Sequence, residues 1–335
     1  MSEHTLPILD LRDFTAGTKN QRDQFVLRLR ETAHDIGFFY LRGLNINTAA
    51  KNQLFSLSRQ FFNLSFKEKV ALDMSNSPHF RGYTREGEEL TRGAYDWREQ
   101  LDVGAEREVL PCLPHDPAWK RLQGPNQWPA QLPGLKPALL QLQETFTQAS
   151  LHVLQALSLA LGQDETAFVQ AFADTPVQHL KVIRYPGRLS SHSQQGVGAH
   201  KDSGCLTFVL QHQQQGLQVH HQGAWVDVHP IEDTVVVNLG EVLEILTNGY
   251  LRATLHRVQS PALGQDRLSI AFFLSPRLEA SLPPLVLPPE LASVARGVEL
   301  DPINPLLPHT GQNLLKGRLR SHPEVARRFY ADVTV

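Results

Sequence analysis

The sequence predicts a mixed α+β protein in which helices flank a double-sheet jelly roll. Three observations carry that expectation. Residues 175–275 break into short extended runs separated by turn residues, as strands of a two-sheet β structure do. Before them, apolar residues at positions 135, 139, 142, 146, 149, 153, 157 and 161 step by three and four, which defines one face of a long helix. Earlier still, strand-like and helix-like patterns alternate.

Taken in order, residues 6–11 read as a strand, followed by a helix through residues 24–30 that ends near Gly37. Residues 38–41 read as a second strand, and residues 49–62 as an amphipathic helix. Ser65 with Glu68 three residues on has the form of a capping box that opens another helix. Residues 80–133 are rich in glycine and proline and read as loop-rich, a length that in a compact domain points to function. The strands expected after the long helix cover residues 180–185, 206–210, 217–220, 224–228, 234–239, 251–258 and 267–274. Asn248-Gly249 has the composition of a two-residue hairpin turn leading into the strand that bears His256. Eight of the 22 prolines fall between Pro276 and Pro308, so that segment reads as irregular, with a last helical part from about Gln312.

Composition excludes several classes. The chain has 335 residues, 41% hydrophobic and 20% charged, within the range of globular proteins. Lys and Arg (32) nearly balance Asp and Glu (34), and no basic block offers a phosphate backbone an attractive face, so no nucleic-acid partner is expected. The first residues lack a basic start and an apolar core, and no apolar run is long enough for a membrane helix, so no membrane partner and a cytoplasmic location are expected. Cys112 and Cys205 are too few for a disulfide framework and suit a reducing compartment; Cys205 reads as a small core residue.

Within this frame, His200-Lys201-Asp202 is followed by His256 and then by Arg267-Leu268-Ser269. Residues two apart on an extended strand point to one side, so His200 and Asp202 can present a nitrogen and an oxygen to one point. A return strand would bring His256 to them. Two imidazoles and one carboxylate on one face of an iron(II) ion leave the other positions open, which is the ligand set of non-haem iron oxygenases. A His-x-Asp pair alone is common by chance; the ordered addition of His256 and Arg-x-Ser is what gives it meaning. Histidines 212, 220, 221 and 229 read as strand and turn residues rather than a second metal site.

These residues carry a resemblance. Gly196-Val-Gly-Ala-His-Lys-Asp-Ser-Gly204, Gly216-Leu-Gln-Val219, Val237-Asn-Leu-Gly240, Leu255-His-Arg-Val258 and Arg267-Leu-Ser-Ile-Ala-Phe-Phe273 resemble the core of the isopenicillin N synthase-like Fe(II)/2-oxoglutarate-dependent oxygenases. Gly37-Phe-Phe-Tyr-Leu41, Phe61-Phe-Asn-Leu64 and Gly124-Pro-Asn-Gln-Trp-Pro129 extend it over nearly the whole chain. The resemblance implies a double-stranded β-helix core. Residues 1–120 would form the mixed N-terminal region, 121–275 the helix and oxygenase core, and 276–335 a proline-rich segment and terminal helices packed on the same unit. It implies that His200, Asp202 and His256 bind Fe(II) and that Arg267 and Ser269 hold the distal carboxylate of 2-oxoglutarate, with Tyr185 donating its hydroxyl to the same ligand. A guanidinium meets a carboxylate through two parallel charge-assisted hydrogen bonds, which suits that assignment. The implied reaction consumes O2, decarboxylates 2-oxoglutarate to succinate and CO2, and oxidises a small-molecule substrate, in a monomer or weak homo-oligomer.

Two departures bear on substrate. Ile183 stands where plant members carry Asn, and Ile183-Arg-Tyr-Pro186 resembles isopenicillin N synthase itself, a cyclase that uses no 2-oxoglutarate. That enzyme lacks the glycine present here as Gly204. Bacterial ethylene-forming enzymes share the pattern at Gly198 to Asp202, but the short turn at residues 220–225 leaves no room for their longer insertion. The alternatives are therefore an oxidative cyclase, an ethylene-forming type and a non-catalytic jelly-roll binder. Arg81, Tyr83, Arg98 and Lys181 are the candidate substrate contacts, on loops and strands at the mouth of the barrel.

Overall fold

A computed structural model of the chain describes residues 6–113, 115–189, 195–298 and 305–333. The strands before the long helix are β1 (Ile8–Asp10), β2 (Phe38–Arg42), β3 (Gly82–Thr84), β4 (Leu90–Thr91), β5 (Ala94–Tyr95) and β6 (Glu99–Gly104). After it come β7 (Val177–Pro186), β8 (Gln195–His200), β9 (Leu206–Gln211), β10 (Leu217–His221) and β11 (Ala224–Asp227). The last are β12 (Val235–Leu239), β13 (His256–Gln259) and β14 (Asp266–Ser275). The helices are α1 (Leu11–Thr15), α2 (Lys19–Asp35), α3 (Thr48–Phe62), α4 (Phe66–Val70) and α5 (Leu135–Ala160), then α6 (Glu241–Leu246), α7 (Pro289–Ala292), α8 (Thr310–Ser321) and α9 (Pro323–Phe329).

Two sheets face each other. The larger has the order β1-β2-β12-β9-β14-β7-β6-β3 and the smaller β11-β10-β13-β8. Strands from the first 120 residues thus extend the sheet built by the later ones. Alternation along each strand of the large sheet separates two environments. Leu180 and Val182 of β7, Leu206, Phe208 and Leu210 of β9, and Leu268, Ile270, Phe272 and Leu274 of β14 point to one face, where they join α2, α3 and α5 in the main core. Phe146 of α5 packs against Phe208 and Phe272 with ring centroids 5.4 and 5.7 Å away. The opposite face turns toward the small sheet, where Phe38, Tyr40, Ile183, Tyr185, Val197, Val219 and Val258 form a second cluster. The polar residues Gln100, Asp102, His179, Lys181, Thr207, Gln211, Asn238, Arg267 and Ser269 alternate with the helix-facing apolar ones and are buried.

Several expected elements form where the sequence places them. Ser65 and Glu68 close a reciprocal capping box at α4. Gln222 and Gly223, both at positive φ, turn β10 into β11 as a tight hairpin. Three expectations are corrected. Residues 80–133 are not all loop: β6 pairs with β7 over six residues, its polar-rich composition concealing a strand whose Leu101 and Val103 face the helices. Asn248-Gly249 is no hairpin turn but the end of α6, a helix the sequence reading missed. The Gly249 amide bonds the Glu244 carbonyl at 2.8 Å, and the positive φ values of 49° and 75° belong to a helix stop. Residues 251–255 are accordingly irregular, and the strand bearing His256 starts at that residue. Of the proline-rich segment, residues 299–304 lie outside the described residues. No helix among the described residues is long and apolar enough to cross a membrane.

Candidate active site

His200 ends β8, Asp202 follows it just beyond the strand, and His256 opens β13, paired directly with His200 in the small sheet. That pairing is what joins two residues 56 positions apart. The His200 Nε2 to Asp202 Oδ1 distance is 3.5 Å and that from His256 Nε2 is 3.7 Å. One donor atom from each of the three lies within 4.8 Å of the others.

Neighbours set the state of each donor. His200 Nδ1 lies 2.8 Å from the Gly198 carbonyl and His256 Nδ1 lies 3.0 Å from that of Thr254. A carbonyl only accepts, so each Nδ1 carries the proton and each Nε2 presents a lone pair inward. Asp202 Oδ2 accepts from Thr207 Oγ1 at 2.6 Å and Asn238 Nδ2 at 2.8 Å, leaving Oδ1 turned to the imidazoles. Burial drives the His256 pKa down to about 4, with His200 adding to the effect, so its ring is neutral at pH 7. Burial pushes the Asp202 carboxyl the other way, but His256, His200 and Asn238 outweigh it and hold the group ionised. Two nitrogen donors and one carboxylate oxygen, each locked by a second bond, fit a ferrous ion.

Arg267 and Ser269 share the inner face of β14. Arg267 is 1% exposed; its Nη1 donates to Ser269 Oγ at 3.2 Å and its Nη2 to Gln211 Oε1 at 3.0 Å, while Nε has no partner. Its guanidinium lies 5.0 Å from the centre of the Tyr185 ring. No carboxylate among the described residues lies within ion-pair distance of it, and burial lowers its pKa. Gly216 sits against it at φ 144°, where a Cβ would come within 3.2 Å of Arg267 Cδ. A desolvated cation in a cradle without its anion fits the distal carboxylate of a dicarboxylic acid.

A cavity of about 230 Å³ opens beside Asp202, lined in part by Arg81, Glu89, Arg107, His179, Lys181 and Arg318. Of the expected substrate contacts, Arg81 and Lys181 reach it. Tyr83 does not: its ring is in the main core and its hydroxyl donates to Glu99 at 2.5 Å, because β3 turns that face toward α3. Arg98 is not among the lining residues but stands behind them, pairing with Glu89 at 2.8 Å and Asp96 at 3.3 Å. His212 packs tilted against Phe55 and His220 edge-on against Trp225, His221 faces Asp35, and the His229 carbonyl accepts the Tyr40 hydroxyl. Cys205 is fully buried, with its thiol pKa pushed up by burial.

The sequence reading missed Thr207, Gln211 and Asn238. Each interrupts an apolar strand with a polar side chain on the face away from the helices, and that alternation was the available signal. It also missed a buried charge network. Glu89 binds Lys181 and Arg98, and Asp102 binds His179 at 2.6 Å, Arg318 at 3.4 Å and Lys181 at 3.6 Å. His322 Nε2 is 3.7 Å from Glu89. Burial, and after it Lys181 and Arg318, depresses the His322 pKa to about 4.

A histidine that binds its proton more weakly folded than unfolded gives stability that is complete above the unfolded value of about 6.5 and is lost as pH falls through about 4. Stability is therefore expected to drop between pH 7 and pH 5 partly through His322. In His322→Phe, whose ring can still pack against Phe80, the drop measured by urea unfolding should be smaller; an equal drop would show that His322 takes no part in it.

Comparison with known proteins agrees with this geometry. Residues 6–131 match the family described as non-haem dioxygenase in morphine synthesis N-terminal, and residues 176–276 match the 2OG-Fe(II) oxygenase superfamily. The 2-oxoglutarate-dependent dioxygenase frbJ of Dothideomycetidae sp. (strain 11243) is 34% identical, over 98% of this chain and 93% of the relative. The homoarginine-6-hydroxylase 2-ODD-C23.1 of Arabidopsis thaliana is 35% identical over 78% of this chain and 80% of its own length. Among solved structures, a full-length Neurospora crassa protein in complex with alpha-KG and 5-formyluracil superposes with a TM-score of 0.76 at 25% identity, covering 96% of this chain and 98% of that one. JOX2 in complex with 2OG, Fe and JA gives 0.72 at 25% identity, covering 97% and 89%. The chain belongs to the Fe(II)- and 2-oxoglutarate-dependent oxygenases.

Proposed function

We propose that His200, Asp202 and His256 hold the ferrous ion of this oxygenase and that Arg267, Ser269 and Tyr185 hold the distal carboxylate of 2-oxoglutarate. The observation that carries the reading is Arg267: a fully buried guanidinium with no carboxylate partner among the described residues, on the inner sheet face that also bears the Asp202 supports Thr207 and Asn238. When bound, the iron and its co-substrate supply dioxygen activation coupled to decarboxylation of 2-oxoglutarate to succinate and CO2. The chain supplies position. Gly198 and Thr254 carbonyls orient the imidazoles, Thr207 and Asn238 orient the carboxylate, and Gln211 and Ser269 aim the guanidinium. The cavity beside Asp202 receives the small molecule to be oxidised. The free thiols of Cys112 and Cys205 support a reducing, cytoplasmic setting.

Anaerobic calorimetric titration of the iron-loaded protein with 2-oxoglutarate is expected to show one binding event, followed on admission of oxygen by succinate formation. Both should vanish in His256→Ala. An iron-loaded wild type that gives no heat with 2-oxoglutarate would return the cyclase reading, in which Arg267 grips a substrate carboxylate instead.

A further inference from the structure

The charge of the substrate is inferred from the charges that line the cavity, an inference that rests on that reading. Four cations line it, Arg81, Arg107, Lys181 and Arg318, against Glu89 and the triad's Asp202. The nearby carboxylates are already committed. Both Glu89 oxygens bind Lys181, at 2.8 and 3.1 Å, and Arg98 takes one of them; Asp102 holds His179, Lys181 and Arg318. The other two cations have no carboxylate within ion-pair distance among the described residues; Asp102 acts on Arg81 and Glu279 on Arg107 only from farther away. Arg81 is 8% exposed and bonds only backbone carbonyls, those of His79, Phe80 and Leu122, with Nε unpartnered. Arg107 is half-buried and, among the described residues, makes no hydrogen bond or ion pair. Burial lowers the pKa of each, and Arg318 and Arg107 both push that of Arg81 further down, to about 10. Leu122, Val177, Phe273, Leu278 and Leu314 supply an apolar part of the lining, beside polar residues such as Gln123, Gln178 and Ser275.

We propose that the substrate is a small molecule bearing a carboxylate, which Arg107 and Arg81 bind while its apolar part lies against Phe273, Leu278 and Leu314. Guanidinium groups suit a carboxylate because their fork meets both oxygens, and an anion between two partly desolvated cations removes the repulsion that now sets them against each other. A cationic substrate group is disfavoured, since it would have to displace Lys181 or Arg98 from Glu89. Arg107 is the residue to vary: Arg81 caps three loop carbonyls, whereas Arg107 supports nothing else that the structure shows.

The test uses the full chain loaded anaerobically with iron(II) and 2-oxoglutarate, titrated with two matched series: phenylacetic acid, its amide and phenethylamine; and hexanoic acid, hexanamide and hexylamine. Binding is read by calorimetry and by the shift in thermal unfolding. The acids are expected to bind about tenfold more tightly than the amides, the size of one charge-assisted hydrogen bond, with the amines weakest. In Arg107→Gln that preference should fall toward parity, and Arg107→Lys should keep part of it. Equal binding of acid and amide, preference for the amines, no binding by either acid, acids that bind only by displacing 2-oxoglutarate, or an undiminished preference in Arg107→Gln would each overturn the proposal. A protein that takes up 2-oxoglutarate yet shows any of these outcomes loses only this inference; one that fails to take it up loses the underlying assignment as well.

Discussion

Asp202→Asn is expected to lose iron without losing its fold. The carboxylate does two jobs with two oxygens: Oδ2 accepts from Thr207 and Asn238, and Oδ1 faces the imidazole nitrogens of His200 and His256. An amide can do only one of them. If its oxygen keeps the Thr207 and Asn238 bonds, its NH2 faces the iron position with no lone pair to give. If it flips, its NH2 meets the NH2 of Asn238, donor against donor. Removing an outer partner of a metal ligand costs about 10–100-fold in affinity, so replacing the ligand itself should exceed about 100-fold. Chelator-competition titration of iron(II) under anaerobic conditions measures it, with circular dichroism as the control for folding. Iron affinity equal to the wild type would take Asp202 out of the ligand set.

Arg267→Met should separate co-substrate binding from stability. Breaking a buried charge pair leaves its other member uncompensated and costs about 2–5 kcal/mol, so 2-oxoglutarate affinity should fall by upwards of about 30-fold. The protein without 2-oxoglutarate should behave differently. There the guanidinium is a desolvated cation with no anion, held by one hydroxyl and one amide oxygen, and a methionine of similar volume relieves that cost. Its unfolding free energy should therefore stay within about 1 kcal/mol of the wild type or rise, while the extra stability that 2-oxoglutarate confers on the wild type disappears. Urea unfolding with and without the keto acid reads both. A loss of several kcal/mol in the co-substrate-free variant would make Arg267 a structural residue, and unchanged 2-oxoglutarate affinity would exclude it as the anchor.

The parts of this site that were legible beforehand share a property: their meaning depends on residue type and short spacing. His200 and Asp202 are two apart, Arg267 and Ser269 are two apart, and in each pair the extended backbone puts both side chains on one side. The supports were not legible. Thr207, Gln211 and Asn238 become meaningful only once β9 and β12 lie side by side beneath Asp202 and Arg267, and polar residues in apolar strands have many other uses. Tyr83 shows the reverse error. Its place in a glycine-rich loop suggested a rim residue, but pairing of β3 with β6 turns it toward Phe61 and Glu99.

Asn248-Gly249 failed for a related reason. Positive φ serves a hairpin and a helix stop equally, and the choice between them is made by what precedes the pair. Here that is residues 241–246, whose packing of Leu243 and Leu246 into the main core favours a helix.

Composition, periodicity and the ordered donor motif pointed to the class of fold and to an iron(II) ligand set, because both are written in local residue patterns, while the 2-oxoglutarate contacts were implied by the family resemblance. Tertiary structure alone decided which charges remain unpaired at the cavity. The partners of Glu89 and Asp102 come from strands, a loop and a terminal helix far apart in the chain, and whether a buried charge is neutralised depends on distances of a few ångströms that no sequence spacing encodes.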